Sequence, residues 1–427
     1  MKRTCLALGL VTALLLSACG SDDDETSAGA DKSAEDATIR LWLNGEDTSD
    51  ELIELAKEEF KKEHPDVEVK FERQQWTGIV EKLTTSLSGK NAPDVIELGN
   101  TQAQTFEAAG ALVDLTDQKE ALGGDDLVQS LTEAGTYDDR FYGVPYYGGA
   151  RVVVYRKDLL EKSGLAVPTT MDEFIEAGIK LKADNAATPS FSGIYYPGKY
   201  WYAALPFIWE KGGDIAEKDG DEWKGMLSSP ESVEGLTLVK KIMDEASGAP
   251  KDGDETKDYI AFCNNEVAML MGPGWKIGEI TNEKDGCPDM ADKIGAFALP
   301  GETAGETAPA FLGGSVLAVP SKSQHQDLAL DLLEILAGEK YQAELAKTGL
   351  LPGRKSLLTE VGGDEGTKAQ AIAAENSRFV PSSEHWAAVE ASTILPDMLV
   401  AIAKGGDVEA EAAKADEALT TKLNGEG

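Results

Sequence analysis

Apolar and polar positions along the chain follow two rhythms. Thr38–Leu43 (Thr-Ile-Arg-Leu-Trp-Leu) reads as a strand that Asn44-Gly45-Glu46-Asp47 ends. From Ser49 to His64 the period lengthens: Leu52, Leu55, Ala56 and Phe60 recur at helical spacing behind an acidic first turn, and Pro65 stops the helix. Val67–Phe71 alternates again as a second strand, Trp76–Ser88 is a second helix, and Pro93–Leu98 is a third, mostly apolar strand of the kind buried in parallel sheets. Gln102–Ala109 is a third helix, ended by Gly110. Strand, helix, strand, helix, strand predicts a doubly wound α/β unit, in which ligands sit outside the carboxyl ends of the strands. The loops at those ends are Asn44–Asp47, Gln74–Trp76 and Gly99–Gln102. All are polar with small residues, and solvated turns have the same composition.

After Tyr142 the texture changes. Gly143–Arg151 is rich in aromatics and glycine, Val152–Tyr155 is an apolar strand, and Met171–Lys182 is a helix. Ser192–Trp209 is dense in aromatics, and Ser232–Ala246 is helical. Val267–Met271, Ile294–Pro300 and Phe311–Val319 read as strands, with helices at Gln326–Ala337 and Glu339–Thr348. Leu350–Arg354 is a turn, and the remainder is helical. No internal repeat is visible.

Composition narrows the class. The 427 residues carry 40 Lys+Arg against 76 Asp+Glu, a net charge of −36, with 42% hydrophobic residues. The length predicts two domains. The charge argues against nucleic-acid or anionic-membrane binding, which needs clustered cations. Only three histidines occur, far apart at 64, 325 and 385, so no His-rich metal centre is expected and no cofactor is called for.

The N-terminus carries an address. Met1-Lys2-Arg3 precedes an apolar run to Leu16 that is too short to span a bilayer, followed by Leu16-Ser17-Ala18-Cys19-Gly20, which resembles a lipobox. Residues 1–18 are read as a lipoprotein signal peptide, Cys19 as the acylation site, and residues 19–37 as a flexible acidic tether. An ordinary secretory signal with an incidental Cys is the alternative. Loss of Lys2 and Arg3 takes the charge from −36 to −38. No other segment is expected to cross a membrane. Cys5 leaves with the signal, so Cys263 and Cys287 remain. They are a disulfide pair for an oxidising compartment or two free thiols. A loop of that length closed by a disulfide contributes ~3.5 kcal/mol in the chain-entropy model.

Four fragments carry a resemblance: His64-Pro65-Asp66-Val67 entering the second strand; Ala92-Pro93-Asp94-Val95-Ile96; Gly143-Val144-Pro145-Tyr146 leading to Val154–Leu160; and Phe262…Met269…Gly272-Pro273-Gly274-Trp275 with Phe311-Leu312-Gly313-Gly314-Ser315. In this order the chain from Thr38 onward resembles the solute-binding lipoproteins of bacterial carbohydrate ABC importers, of the maltodextrin-binding type. Gln75-Trp76, Glu97–Gln102, Pro197–Tyr202 and the Cys263/Cys287 pair are most similar to the subgroup that takes up N,N′-diacetylchitobiose. The resemblance implies a two-lobed α/β fold with the ligand cleft between lobes. Residues 38–148 and 312–354 would form lobe 1, and 149–311 and 355–427 lobe 2. The hinge would lie near Tyr147–Val152, Phe311–Leu317 and Leu351–Ser356, where glycines suit segments that change φ/ψ. It further implies a monomer on the outer face of the cytoplasmic membrane, partnered by permease subunits and held to the membrane only through its lipid.

A sugar presents C–H faces to aromatic rings and hydroxyls to directed polar groups. Trp275, following Gly-Pro-Gly, is the leading stacking candidate, with Trp76, Tyr196, Trp201 and Trp386 beside it. Trp42 and Trp209 are assigned to packing. Asn44, Glu46, Gln75, Asn100, Gln102, Tyr147 and Arg151 are candidates for hydroxyls, and the backbone of Gly313 and Gly314 offers further donors. For Arg151 a structural ion pair is the alternative. Two other classes compete. A secreted hydrolase needs paired carboxylates, which a chain this acidic supplies anywhere, but no Gly-x-Ser-x-Gly or His-Glu-x-x-His motif occurs. A receptor for a non-sugar solute is the other.

Overall fold

In the computed structural model, residues 37–426 are described apart from 46, 77, 256, 257, 285, 362 and 364. The signal segment, Cys19, nearly all of the tether, and Glu46 therefore lie outside the described residues. Strand β1 (Thr38–Asn44) is followed by helix α1 (Asp50–Glu63), whose first turn is capped by Ser49 Oγ accepting from Leu52 N and whose ends carry Asp50/Glu51 and Lys61/Lys62, each sign facing the helix dipole that suits it. β2 (Glu68–Gln74) pairs in parallel with β1 from Thr38↔Glu68 to Asn44↔Gln74. Helix α2 (Ile79–Ser88) begins later than its apolar pattern suggests, because Gly78 before it is left-handed. β3 (Val95–Gly99), fully buried, lies parallel to β1, and α3 (Ala103–Ala108) follows. α4 (Gln129–Ala134) and the hairpin β4 (Thr136–Tyr137)–β5 (Arg140–Phe141) complete this part.

The strand expected at Val152–Tyr155 is longer and takes in the Gly-rich aromatic stretch. That stretch is the first half of β6 (Val144–Arg156), a 13-residue strand. Its glycines are held in the sheet by partners distant in sequence. Then come α5 (Lys157–Lys162), α6 (Met171–Asp184), β7 (Ser192–Tyr195), α7 (Leu205–Glu210) and the hairpin β8 (Ala216–Asp219)–β9 (Glu222–Gly225). α8 (Pro230–Lys241), capped by Ser229, runs into a π-helical turn, Ile242–Ala246. α9 (Asp258–Cys263), β10 (Val267–Pro273), α10 (Lys276–Ile280), β11 (Ile294–Phe297) and β12 (Ala310–Ala318) follow. The C-terminal part holds α11 (Gln326–Ala337), α12 (Glu339–Ala346), β13 (Leu351–Pro352), α13 (Glu365–Glu375), β14 (Ser377–Arg378), α14 (Trp386–Glu390), α15 (Ile394–Ala403) and α16 (Val408–Leu423). Cys263 and Cys287 form a disulfide with Cα atoms 5.6 Å apart, so the free-thiol alternative falls. The run Trp386–Ala403 is apolar and long enough by composition to cross a bilayer, contrary to the sequence expectation. Here it is broken into α14 and α15, and Trp386, Leu395, Leu399 and Ile402 are buried in a core.

One mixed sheet runs in the order β2-β1-β3-β12-β6-β10-β7, with β11 and β13 on β6 and β14 on β12. It serves separate cores. Ile39, Leu41, Phe60, Val144, Tyr146 and Leu333 belong to one, and Trp42, Leu83, Ile96, Phe106 and Val316 to another on the opposite face of β1 and β3. Ala150, Val152–Val154, Phe174, Met269, Leu312 and Leu399 belong to a third, larger core. The changeover falls between Tyr147 and Ala150 on β6 and between Leu312 and Val316 on β12, where Gly149 pairs with Gly313 and Gly148 with Gly314. β13 joins at Leu351↔Gly148. At Gly314 φ is +151°, and a Cβ would stand 2.2 Å from Tyr147 O, so the crossing tolerates glycine alone.

Candidate functional site

The carboxyl ends of β1 and β3 and the middle of β6 converge. β1 ends at Asn44, which is buried: its N–H donates to Glu97 Oε2 (2.7 Å) and its amide Nδ2 to Glu97 O (2.9 Å). The chain then turns at Gly45 (φ +61°), where a Cβ would lie 2.8 Å from Trp76 Nε1. The Trp76 indole thus lies over Gly45 and reaches Gly99 at the end of β3, where its Cζ3 would be 3.4 Å from a Cβ. Trp76 Nε1 donates to Asp47 Oδ2 (3.2 Å), and Tyr147 Oη donates to the same oxygen (3.0 Å). Arg73 Nη1 donates to Gly45 O and Thr48 O and fixes this loop. Tyr146, on the opposite face of β6, shares its hydroxyl with Thr48 Oγ1 (2.8 Å) and Tyr341 Oη (2.9 Å) inside the core.

Beneath these groups is Glu97, fully buried on β3. Burial pushes its carboxyl up to about 7, against the Asn44 N–H, which favours the charged form; the Asp47 charge adds to the rise.

The two-residue repeat of a strand puts Tyr147, Gly149 and Arg151 on one face of β6. Trp275 covers the gap left by Gly149: a Cβ there would be 2.2 Å from Trp275 Cζ3. One side of the indole rests on the strand, yet the residue is 48% exposed. Arg151, its side chain 11% exposed, makes a two-pronged pair with Glu255 (Nη1–Oε2 2.8 Å, Nη2–Oε1 3.1 Å). Its guanidinium lies 5.2 Å from both the Tyr200 and Tyr202 ring centres. Burial alone lowers its pKa; the Glu255 carboxylate more than offsets this and holds it above the ordinary value. Tyr200 donates its hydroxyl to Met271 O and Tyr202 donates to Glu390 Oε1. Glu390 Oε2 accepts from Thr101 Oγ1 (2.8 Å), so one carboxylate joins the start of α3 to α14. Trp201 stacks on Tyr202 at 3.6 Å, and Phe311 lies 4.7 Å from Tyr202.

Trp76, Gln102, Tyr147, Arg151, Trp201 and Trp275 are therefore gathered around the crossing of β6 and β12, where Gly313 and Gly314 supply backbone. Gln75 is exposed beside Trp76. Four other candidates sit beneath this surface. Asn44 is engaged with Glu97. Asn100 donates to Leu312 O (2.8 Å) and accepts from Thr101 N, bracing β3 against β12. Tyr196 is buried and donates to Tyr200 O (3.0 Å), and Trp386 is 1% exposed in the large core. A polar side chain at a strand end serves buried backbone before it serves a ligand. Trp42 and Trp209 are buried, as assigned, with Nε1 donating to Glu72 and Asp214. Asp47, Glu97, Tyr200, Tyr202, Glu255 and Glu390 were not singled out from sequence. Asp47 had a signal, its place in the first strand-end loop; Glu255 and Glu390 had none. Among the described residues no cluster of three or more metal-type side chains occurs.

The model of the bacterial extracellular solute-binding protein family matches residues 45–343. The chain is 36% identical to the diacetylchitobiose binding protein DasA of Streptomyces coelicolor over 97% of each chain. It is 26% identical to an arabinooligosaccharide-binding protein of Halalkalibacterium halodurans over 73% of this chain and 69% of that one. Among solved structures, the sugar-binding protein MalE from Xanthomonas citri matches with a TM-score of 0.80 at 23% identity, covering 91% of this chain and 97% of that one. The GacH receptor of Streptomyces glaucescens matches at 0.73, with 23% identity and 91% and 99% coverage. These structures show the two-lobed fold of the maltose-binding type.

Proposed function

The chain belongs to the bacterial extracellular solute-binding protein family, and from that premise we propose that it captures N,N′-diacetylchitobiose or a related chito-oligosaccharide for an ABC importer. The observation that carries this reading is similarity to DasA along nearly the whole of both chains. The site supports it with rings beside polar groups. Trp275 and Trp76 offer indole faces to sugar C–H surfaces, and Tyr147, Asp47, Gln75, Gln102 and the Arg151–Glu255 pair surround them with donors and acceptors. Lobes of residues 38–148 with 312–354 and 149–311 with 355–427 close about Gly148–Gly149, Gly313–Gly314 and Gly353. A ligand drives that closure only by contacting both lobes better when closed. The chain acts as a monomer, performs no chemistry on the sugar, and delivers it to permease subunits from the outer face of the cytoplasmic membrane, held there by lipid on Cys19.

Calorimetric titration with N,N′-diacetylchitobiose tests the reading. One saturable site, compaction in scattering on saturation, and no cleavage products after prolonged incubation are expected. Failure to bind this sugar, chitotriose, cellobiose or maltose would overturn it, and product formation would favour the hydrolase. Mass spectrometry of membrane-extracted protein should find acylated Cys19; an unmodified residue removes the anchor.

A further inference from the structure

Trp275 is half in solvent and rests one side of its ring on Gly149, so little packing fixes the angle at which the indole stands. The helix that begins after it, α10, has five residues and cannot hold an orientation alone. Its first residue, Lys276, is charged and yet buried. The Lys276 stem folds back over the end of β10, where its Cε would stand 3.3 Å from a Cβ at Gly272. Its Nζ meets Asp258 Oδ1 (2.9 Å) at the start of α9 and Glu279 Oε2 (2.7 Å) one turn along α10. The side chains of Lys276 and Asp258 are 6% and 0% exposed. Asp258 Oδ2 has no hydrogen-bond partner among the described residues. Burial raises the Asp258 carboxyl, and the Lys276 charge only partly offsets this.

A pair that does not recover its desolvation is a poor means of holding a fold together, since apolar residues of similar shape serve as well or better. What it can do is fix a position. Asp258 lies three residues after Glu255, whose carboxylate grips Arg151. Arg151 lies two residues after the Gly149 seat of the indole, and Lys276 follows Trp275 directly. Two carboxylates three residues apart therefore hold one cation beside the seat of the ring and another beside its own backbone. From another side α13 closes on Gly274, where a Cβ would be 1.8 Å from Gln370 Nε2. We propose, resting on the receptor reading above, that Asp258 and Lys276 are positioning residues for Trp275. The pair locks the free face of the indole at the angle a sugar ring meets, so that binding does not have to order it.

Lys276→Met alone leaves a buried carboxylate without its cation and should melt well below wild type. The informative variant is Asp258→Leu/Lys276→Met, which removes both charges with side chains of similar shape. It should melt no lower than wild type, yet bind N,N′-diacetylchitobiose at least tenfold more weakly. In a Trp275→Ala background the same double change should alter affinity less than twofold, because the ring it positions is gone. Without sugar, the Trp275 emission, taken as the difference between each protein and its Trp275→Phe form, should shift to the red and be quenched more by acrylamide in the double variant. Wild-type affinity in the double variant, an equal loss of affinity in both backgrounds, or a double variant no more stable than Lys276→Met would each overturn the assignment and leave the receptor reading standing. If wild type binds neither this sugar nor a longer chito-oligosaccharide, the receptor reading falls. The positioning of the ring is then judged by its emission and quenching alone, and an unchanged Trp275 signal overturns it.

Discussion

The two halves of the site are built on different electrical plans. At the ends of β1 and β3 a single exposed carboxylate, Asp47, collects the Trp76 and Tyr147 donors above a buried carboxyl, Glu97. Along the second half of β6 a largely covered cation, Arg151, is held by Glu255 and two tyrosine rings. The first arrangement is open to water at Asp47. The second is held by contacts within the protein, with no ligand bound. Affinity and stability should therefore respond to different residues.

Arg151→Met should have the largest effect, and on stability. Breaking a buried ion pair costs about 3–5 kcal/mol, but the Glu255 carboxylate is 35% exposed and recovers water, so a loss of about 2–4 kcal/mol is expected. Denaturant unfolding reads it directly. A variant as stable as wild type would break the contrast. Trp275→Ala should do the opposite. Half of the ring is already in solvent, so folding loses little, while the ~100 Å² a ligand would cover is worth about 2–3 kcal/mol, on the order of a hundredfold in affinity. Titration with N,N′-diacetylchitobiose measures it, and unchanged affinity removes Trp275 from the site. Asp47→Ala falls between the two kinds. It leaves the buried Tyr147 hydroxyl without its acceptor and frees the Trp76 indole. About 1–2 kcal/mol of affinity should be lost, with a small drop in melting temperature. A melting change with full affinity would make Asp47 a scaffold residue.

The contrast also explains what could be read from sequence. The strand-end half is local: each group follows its strand within a few residues, and the α/β alternation points to those loops. Trp76 was singled out for that reason and Trp275 for the Gly-Pro-Gly that carries it past the end of β10, whereas Tyr147 lies inside β6 and follows no strand end. Asp47 stood in a recognised loop but was one carboxylate among 76 acidic residues. The Arg151 half joins positions 104 residues apart and then Tyr200 and Tyr202, so no spacing announces it. Amide chemistry at a strand end was a poor guide for Asn44 and Asn100. The partner of Asn100, Leu312 O, lies 212 residues away, and only the sheet order β3-β12 makes it a neighbour. Aromatic identity likewise did not separate Trp386 and Tyr196, which fill a core, from Trp275, which lies on one. The length of β6 was missed because glycine next to tyrosine suggests a loop, when here it marks where the strand passes from one core to another.

A pH slope places the two halves on one scale. Glu97 is held near 7 rather than at its ordinary 4.5, chiefly by burial. The folded state therefore keeps this proton at pH values where the unfolded chain has released it. Its contribution to stability is fully present below about pH 4.5 and is lost as pH rises through 7, at no more than about 1.4 kcal/mol per pH unit. Glu107 on α3, pushed up to about 9 by burial, adds a slope of the same sign over a wider range, so wild type alone does not isolate Glu97. Glu97→Gln does. It keeps the shape of the protonated carboxyl and should flatten the curve between pH 5 and 7 while leaving the segment above pH 8 parallel to wild type. Asp47→Ala should move the Glu97 titration downward, because the Asp47 charge is part of what raises it. Arg151→Met should shift the whole curve with little change of slope. Denaturant unfolding of the four proteins at unit pH steps measures all of this. Parallel curves for wild type and Glu97→Gln would mean that Glu97 titrates alike in folded and unfolded chains, and the strand-end half would lose the buried carboxyl that sets it apart from the half built on Arg151.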